Sequence, residues 1–221
     1  MNFLQNIQTF ASGEYRRISL FFVIFYAVGL AGLSFQITKP VFTQLVPLAL
    51  LLGFAGVLLF HKASFDKKTL ITFAFVFLMS FLIEAVGVAT GEIFGNYKYG
   101  ETLGFKIAET PVIIGLNWLF LVYVSSTTAK LISSNSIITI LIAPAFMVLY
   151  DVVLEQVAPG LGMWTWENNT VPWQNYLAWF LLAVVFHVAF RIMKIETGNK
   201  IAPILFAIQF AFFLTLLALN L

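Results

Sequence analysis

The chain has 221 residues, of which 61% are hydrophobic and only 10% are charged, and its mean hydropathy is +0.95. This apolar share is far above that of a soluble domain, so the sequence predicts a polytopic membrane protein. The formal net charge of +2 includes no basic stretch that would indicate nucleic-acid binding, and the absence of cysteine excludes disulfides, thiolate nucleophiles and cysteine-ligated metals.

Apolar runs long enough to cross a bilayer follow one another along the chain. A transmembrane helix needs about twenty mainly apolar residues, and about seven runs meet that length. The sequence therefore predicts an all-α membrane protein with about seven transmembrane helices in a single domain covering residues 1–221. The expected spans are 18–36, 43–61, 69–91, 111–132, 136–156, 175–194 and 201–221.

Proline, glycine and asparagine mark the interruptions of these runs. Pro47 and Pro144 lie inside the second and fifth runs and predict kinks there. Residues 133–135 predict a tight turn, and Gly198 with Asn199 are expected to end the sixth helix.

The Lys and Arg residues are distributed unevenly between the loops. If the N-terminus is inside, nine of the twelve lie at the inner face, and only Lys39, Lys98 and Lys106 lie at the outer face. Because inner loops of membrane proteins carry the excess of positive charge, we expect the N-terminus inside and the C-terminal Leu221 outside.

In that topology, acidic and amide side chains from four helices reach the same depth. Glu84 and the pair Asp151 and Glu155 come late in outward spans, whereas Asn117 and Asn175 come early in inward spans. The spacing of four residues puts Asp151 and Glu155 on one helix face. Ionisable groups inside apolar helices are costly, so we expect these side chains to form one polar pocket in the outer half of the bilayer.

The carboxyl groups of this predicted pocket suit proton transfer. Two carboxylates in one low-dielectric site do not easily both ionise, so Asp151 and Glu155 are expected to share a proton and act as a proton donor. Structural roles remain open for the same residues: Glu84 as a hydrogen-bonded interhelical residue, and Glu155 as a capping or interface residue near Pro159.

Aromatic residues surround the predicted pocket in the sequence. The loop 91–104, GEIFGNYKYGETLG, is either an interfacial turn with tyrosines at headgroup level or a lid over the pocket. Trp164 and Trp173 fit an interfacial aromatic belt as well as they fit a binding site.

The two histidines are not expected to be catalytic. His61 follows a helix at the inner interface and is expected to be solvated, whereas His187 is expected to be a hydrogen-bonded core residue. They lie far apart, so no histidine-based metal site is predicted. The sequence also lacks a GxSxG motif and a phosphate-binding glycine loop, and we expect no cofactor.

Three segments of the chain are distinctive in combination: EAVGVATGEIFGNYKYGETLG, PVIIGLNW, and DVVLEQVAPGLGMWTWENN followed by VPWQNYLAWF. Together they resemble the carotenoid biosynthesis membrane proteins, a family of hydratases that act on the acyclic ends of carotenoids such as gamma-carotene, lycopene or bisanhydrobacterioruberin. The resemblance implies a hydrophobic carotenoid substrate, the lipid bilayer and other carotenoid biosynthesis enzymes as partners, and the inner (plasma) membrane of a prokaryote as the location.

Hydration of a terminal trisubstituted double bond fits these residues chemically. An acid protonates the less substituted carbon, aromatic faces stabilise the tertiary carbocation, and water then adds. The expected catalytic residues are Glu84, Asp151 and Glu155, around a chamber with room for a slender hydrocarbon tail, and no metal is expected. The expected substrate-binding residues are Tyr97, Tyr99, Asn117, Trp118, Trp164, Trp166, Asn175 and Trp179.

Three alternatives remain open from the sequence. A carotenoid cyclase or isomerase would use the same protonation step but exclude water. A small membrane carrier would use Glu84 and Asp151 as a proton relay, although no convincing internal repeat is visible. A non-catalytic carotenoid- or lipid-binding subunit would need the pocket but not the acid.

Overall fold

The computed structural model describes residues 8, 11, 13–63 and 65–220, which are mostly helical. Four helices are long and apolar enough to cross a membrane, and two further apolar helices are shorter. The all-α membrane class is therefore confirmed, while the expected end of the last span at Leu221 lies outside the described residues. The helices with both ends described are α1 (Tyr15–Ser34), α2 (Lys39–Gln44), α3 (Val46–Leu59), α4 (Lys67–Thr90), α5 (Ile113–Ile132), α6 (Ser136–Val157), α7 (Trp173–Ile192) and α8 (Ala202–Ala218).

Helix α5 lies at the centre of the bundle. It packs against α3, α4, α6, α7 and α8, and most of its residues are buried, including Trp118, Tyr123 and Val124. A helix that is apolar around its whole circumference is expected in a protein interior. The outer helices instead carry exposed hydrophobic side chains such as Leu20 of α1 and Leu78 of α4. The central helix therefore positions the other helices, and the exposed faces of these helices are apolar.

Capping residues in the sequence account for several helix ends. Asp66 accepts a hydrogen bond from the Thr69 amide at the start of α4, and Gly91 ends that helix in the left-handed conformation with φ +70°. Asn135 accepts from the Ile137 amide at the start of α6, so the predicted turn at 133–135 is confirmed.

The expected helix stop at Gly198 and Asn199 is wrong. Helix α7 already ends at Ile192. The Asn199 side chain accepts hydrogen bonds from the amides of Ile201 and Ala202, so it satisfies free donors at the start of α8. Asparagine is common at both ends of helices, so the sequence did not show whether Asn199 ends α7 or begins α8.

The second predicted span is divided into two helices. Helices α2 and α3 are separated by Leu45 alone. Pro47 explains the break, because it lacks an N–H and its ring would clash with the carbonyl of Thr43 in a continuous helix. The kink expected at Pro47 therefore takes the form of a helix break, whereas Pro144 lies within the single helix α6.

A short β-ribbon joins two of the loops, which the sequence did not predict. Strand β1 (Tyr97–Tyr99) pairs antiparallel with β4 (Trp164–Trp166), and Tyr97 lies opposite Trp166. Because side chains alternate along a strand, the two tyrosines and two tryptophans share one face while Lys98 and Thr165 are exposed on the other. A small separate hairpin is formed by β2 (Lys106–Ile107) and β3 (Thr110–Pro111).

The ribbon connects the ends of the two helices that carry the predicted acids. Strand β1 follows α4, and β4 follows α6 through a single 3₁₀ turn, Pro159–Leu161. Gly100 permits the close approach of the two chains, since a Cβ there would lie 2.1 Å from the carbonyl oxygen of Gly162. The aromatic face of the ribbon is thereby held over the ends of α4 and α6.

The register of the ribbon predicts which engineered cysteines will cross-link. Lys98 and Thr165 lie directly opposite each other, a spacing of about 4.5–5.5 Å between Cα atoms that suits a disulfide. The double variant Lys98→Cys, Thr165→Cys should form a disulfide on mild oxidation, measured by thiol alkylation and mass spectrometry. The control pair Lys98→Cys, Thr170→Cys should stay reduced, and equal cross-linking of both pairs would contradict the register.

Candidate functional site

Glu84 of α4 is a buried carboxyl group surrounded by hydrogen-bond donors. Its Oε2 accepts from the hydroxyls of Tyr97 at 2.5 Å and Tyr99 at 3.0 Å, and its Oε1 accepts from Trp118 Nε1 at 2.9 Å. The side chain is only 4% exposed. An ionised carboxylate accepts all of these bonds, so the surroundings of Glu84 suit its anionic form.

The two tyrosines next to Glu84 remain protonated donors. Burial raises the pKa of Tyr97, and the nearby negative charge of Glu84 raises it further. Burial and the same carboxylate also raise the pKa of Tyr99. Both hydroxyls therefore keep their protons at neutral pH and continue to stabilise the anion.

Glu155 of α6 is held by the other strand of the ribbon. Its Oε2 accepts from Trp164 Nε1 at 2.8 Å and from Trp166 Nε1 at 2.6 Å, and its Oε1 accepts from Asn175 Nδ2 at 3.3 Å. The belt interpretation of Trp164 is therefore wrong, since its indole is buried and hydrogen-bonded. Trp173, in contrast, is 74% exposed, as a belt residue would be.

Asp151 lies one helical turn before Glu155 and has fewer partners. Its Oδ2 accepts from Asn175 Nδ2 at 2.9 Å, while its Oδ1 has no hydrogen-bond partner among the described residues. The residue is 0% exposed. A fully buried charge with a single donor would be very costly, so the surroundings of Asp151 suit the neutral carboxylic acid. Asn175 links the two acids through its amide nitrogen.

Glu84 and Glu155 line one small cavity between the ribbon and the helix ends, and Asp151 lies behind it. The cavity volume is about 20 Å³, which is enough for a single water molecule. Glu84 and Glu155 therefore converge as expected. The prediction of a chamber large enough for a hydrocarbon tail is wrong, because this cavity is too small to hold one. The lining residues are Glu84, Phe94, Tyr97, Tyr99, Ile114, Asn117, Trp118, Glu155, Trp164, Trp166, Asn175 and Trp179.

Aromatic rings form most of the cavity wall. Trp118 and Trp179 stack with their ring centroids 4.3 Å apart and an interplanar angle of 28°. In the ribbon, the ring centroids of Tyr97 and Trp166 lie 4.9 Å apart. Electron-rich faces of this kind attract a cation placed over them. The eight predicted substrate-binding residues therefore all reach this one cavity, next to two of the three predicted acids.

Two lining residues, Phe94 and Ile114, were not among the predicted binding residues, although Phe94 belongs to the loop 91–104 that was expected to be an interfacial turn or a lid. The presence of Gly87 on the face of α4 that carries Glu84 could have indicated Phe94, because a Cβ at Gly87 would lie 2.6 Å from the Phe94 ring. Glycine at this position therefore lets the ring of Phe94 pack against the helix that carries Glu84. No comparable signal in the sequence marks Ile114.

A polar cleft lies on the other side of the ribbon. Its volume is about 950 Å³, and charged side chains including Lys98, Glu101 and Glu167 line it. Tyr97, Tyr99 and Trp166 line both this cleft and the small cavity. The ribbon is therefore the wall between the carboxyl groups and a water-accessible surface.

The histidines lie away from this cavity. His61 is completely buried, with Nδ1 2.8 Å from the Tyr123 hydroxyl, so the expectation that it is solvated is wrong. Burial lowers its pKa, although Asp66 and Glu196 oppose this effect. His187 is buried and hydrogen-bonded to Ser125 and to the Ala183 carbonyl, which confirms its core position. Among the described residues, no cluster of three or more His, Asp or Glu suits a metal ion.

Comparisons with known proteins identify relatives of the chain. The model of a family described as "Carotenoid biosynthesis protein" matches residues 45–221. The bisanhydrobacterioruberin hydratase of Haloarcula japonica is 30% identical over an alignment of 133 residues, which covers 52% of this chain and 42% of the relative. The chain thus spans less than half the length of that curated relative. No solved structure matches the chain significantly.

Asn175 should be important for stability because it is the donor that Asp151 and Glu155 share. Asn175→Leu leaves Asp151 Oδ2 without a donor, and we expect the free energy of unfolding to fall by about 1–3 kcal/mol. Thermal unfolding in detergent micelles measures this change. The control Gln156→Leu removes an exposed amide on α6 and should change stability by less than about 0.5 kcal/mol. Equal effects of both substitutions would contradict the bridging role.

Proposed function

The chain belongs to the carotenoid biosynthesis protein family, and from that premise we propose that it adds water across the terminal double bond of an acyclic carotenoid end group. The observation that carries the proposal is the convergence of Glu84 and Glu155 on one aromatic-walled cavity with room for a water molecule. The name of the Haloarcula japonica relative, a hydratase, supports the same class of reaction.

Proton transfer to the alkene is the first step of the proposed reaction. Asp151, whose surroundings favour the neutral carboxylic acid, supplies the proton. Glu155 relays it to the alkene, because Glu155 lines the cavity and Asp151 does not. The proton bonds to the less substituted carbon of the double bond. The electron pair of the double bond forms the new C–H bond, the neighbouring carbon becomes a tertiary carbocation, and the acid becomes a carboxylate.

Stabilisation of the cation is the second requirement. The stacked indoles of Trp118 and Trp179 offer π-faces, and the anion of Glu84 offers a fixed negative charge on the same cavity. Because Glu84 and Trp118 are already hydrogen-bonded to each other and Trp179 is stacked on Trp118, little reorganisation is needed as charge develops.

Capture by water completes the addition. The oxygen of water forms a bond to the tertiary carbon, and one proton of that water passes to Glu84, the carboxylate that its three donors keep ionised. Asn117 and Asn175 line the cavity where they can orient the water. A return of the proton from Glu84 to the Asp151–Glu155 pair restores the starting state, so the net change is the addition of one water.

Entry of the end group requires a movement of the cavity wall. A volume of about 20 Å³ admits water but no branched hydrocarbon. The ribbon is the wall that moves in this proposal, since it is short, joins two loops and has the polar cleft behind it. Closure of the wall around the end group would leave only the water that is consumed.

The membrane arrangement in this proposal has seven crossings, made by α1, by α2 with α3, and by α4 to α8. Helix α3 is short for a bilayer, but α2 and α3 together extend over residues 39–59. The N-terminus lies inside, the carboxyl groups lie in the outer half, and the protein is integral to the inner (plasma) membrane of a prokaryote. Its substrate is a hydrophobic carotenoid taken from the bilayer, and other carotenoid biosynthesis enzymes supply it.

Expression of the full chain in a lycopene-producing host tests the reaction. We expect a new pigment whose mass exceeds that of its precursor by one water, detected by liquid chromatography and mass spectrometry. An isomeric product of unchanged mass would indicate a cyclase or isomerase instead. Unchanged pigment, with lycopene and gamma-carotene both supplied, would favour a carrier or a binding subunit and would contradict the proposed hydration.

Neutral analogues of the acids test the assigned roles. Asp151→Asn and Glu84→Gln should each lower the yield of hydrated product by about 10²–10⁴-fold, the usual contribution of an acid or base. The matched control Glu92→Gln changes an exposed carboxylate just beyond α4 and should keep full activity. His187→Ala, away from the cavity, should keep substantial activity. Full activity of both Asp151→Asn and Glu84→Gln would remove the acid–base assignment.

A further inference from the structure

A second, larger pocket lies at the same end of the helix bundle as the carboxyl groups. Its volume is about 290 Å³, close to the range of about 300–1,000 Å³ of pockets that hold small ligands. It is formed by the last half of α1, by α2, by the start of α3 and by the last half of α8. Its apolar lining includes Phe25, Phe42, Ala49, Leu50, Phe212 and Phe213.

The pocket has an entrance on the lipid-facing side of the protein. Val28 and Leu45 line it and are 53% and 41% exposed. Exposed apolar residues on the outside of a helix bundle face the acyl chains in a membrane protein. An apolar molecule dissolved in the bilayer therefore reaches the pocket directly, between α1 and the α2–α3 segment.

The chemistry of the lining excludes a charged ligand. No Asp, Glu, Lys or Arg lines the pocket among the described residues. Its polar side chains are Tyr26 and Gln209, and the Gln209 amide donates to the Tyr26 hydroxyl at 2.6 Å. A charged group would lose its hydration here without gaining a counter-ion, whereas a hydrocarbon chain gains apolar contacts on every side.

The inner wall of the pocket is shared with the carboxyl cluster. Leu161 and Met163 line the pocket, and the next residue, Trp164, donates to Glu155. On the same side, the hydroxyl of Tyr150 donates to Gln209 Oε1 at 3.2 Å, and Asp151 follows Tyr150 in α6. The pocket and the acids are therefore separated by a single layer of residues.

We propose that this pocket binds a linear isoprenoid segment of the substrate and directs its end group towards the carboxyl cavity. The inference rests on the proposed function for the identity of the ligand. It resolves the mismatch of sizes: the 290 Å³ pocket takes the chain, and only the end group has to enter the 20 Å³ cavity, which enlarges for it when the ribbon moves. Leu161, Met163 and Trp164 form the boundary that the end group crosses.

Retention of lycopene by the purified chain tests the pocket separately from the chemistry. Ala49→Phe places a ring inside the pocket, and we expect the lycopene that co-elutes with the protein in detergent to fall at least tenfold, as measured by its absorbance. The matched control Ala55→Phe introduces the same ring on the exposed face of the same helix and should retain lycopene as the parent does. Asp151→Asn should also retain lycopene, since it changes only the acid.

A variant on a second helix keeps the test decisive. Gly29→Leu fills the pocket from α1, where a Cβ would meet Phe212 at an ordinary 3.6 Å, and it should cause the same loss. Thermal unfolding verifies that each variant is folded. Parent-like retention by either folded filling variant, or no retention by the parent chain, would overturn the inference. Retention by the parent without any hydrated product would contradict the proposed function and leave the pocket assignment standing.

Discussion

Three carboxyl groups buried in apolar helices must obtain hydrogen-bond donors, and much of the end of the helix bundle that carries the β-ribbon is arranged to supply them. An unpaired charge in such surroundings costs several kcal/mol. Neither arginine nor lysine lines the cavity among the described residues, so the compensation comes from neutral donors. Tyrosine and indole groups are suited to this role, because each combines a large apolar ring with one polar hydrogen.

The β-ribbon follows from this requirement. Its two strands come from loops that would otherwise lie separately at the membrane surface, and their inward side chains supply four of the donors. The same pairing that satisfies Glu84 and Glu155 also closes the cavity and separates it from the polar cleft. Structural stabilisation and closure of the cavity are therefore provided by the same contacts, and only Asp151 is left with an oxygen that has no partner among the described residues.

The sequence predicted the composition of the site well but its shape poorly. Helical spacing and the expected alternation of helix direction were enough to predict that Glu84, Asp151, Glu155, Asn117 and Asn175 lie close together. The pairing of β1 with β4 is a long-range contact with no periodic signal in strands of three residues, so it was missed. The volume of the cavity depends on how side chains from six segments fit together. The burial of His61 depends on its packing against Tyr123. A pattern in one sequence reveals neither of these two properties.

The proposed function requires that Asp151 holds a proton while Glu84 is ionised. Infrared difference spectroscopy of the purified protein measures this directly, since a neutral carboxylic acid and a carboxylate absorb at different frequencies. At neutral pH, the parent protein should show a carboxylic acid carbonyl band that disappears in Asp151→Asn and persists in Glu84→Gln. Absence of the band in the parent protein, or its survival in Asp151→Asn, would contradict the assignment of Asp151 as the stored acid.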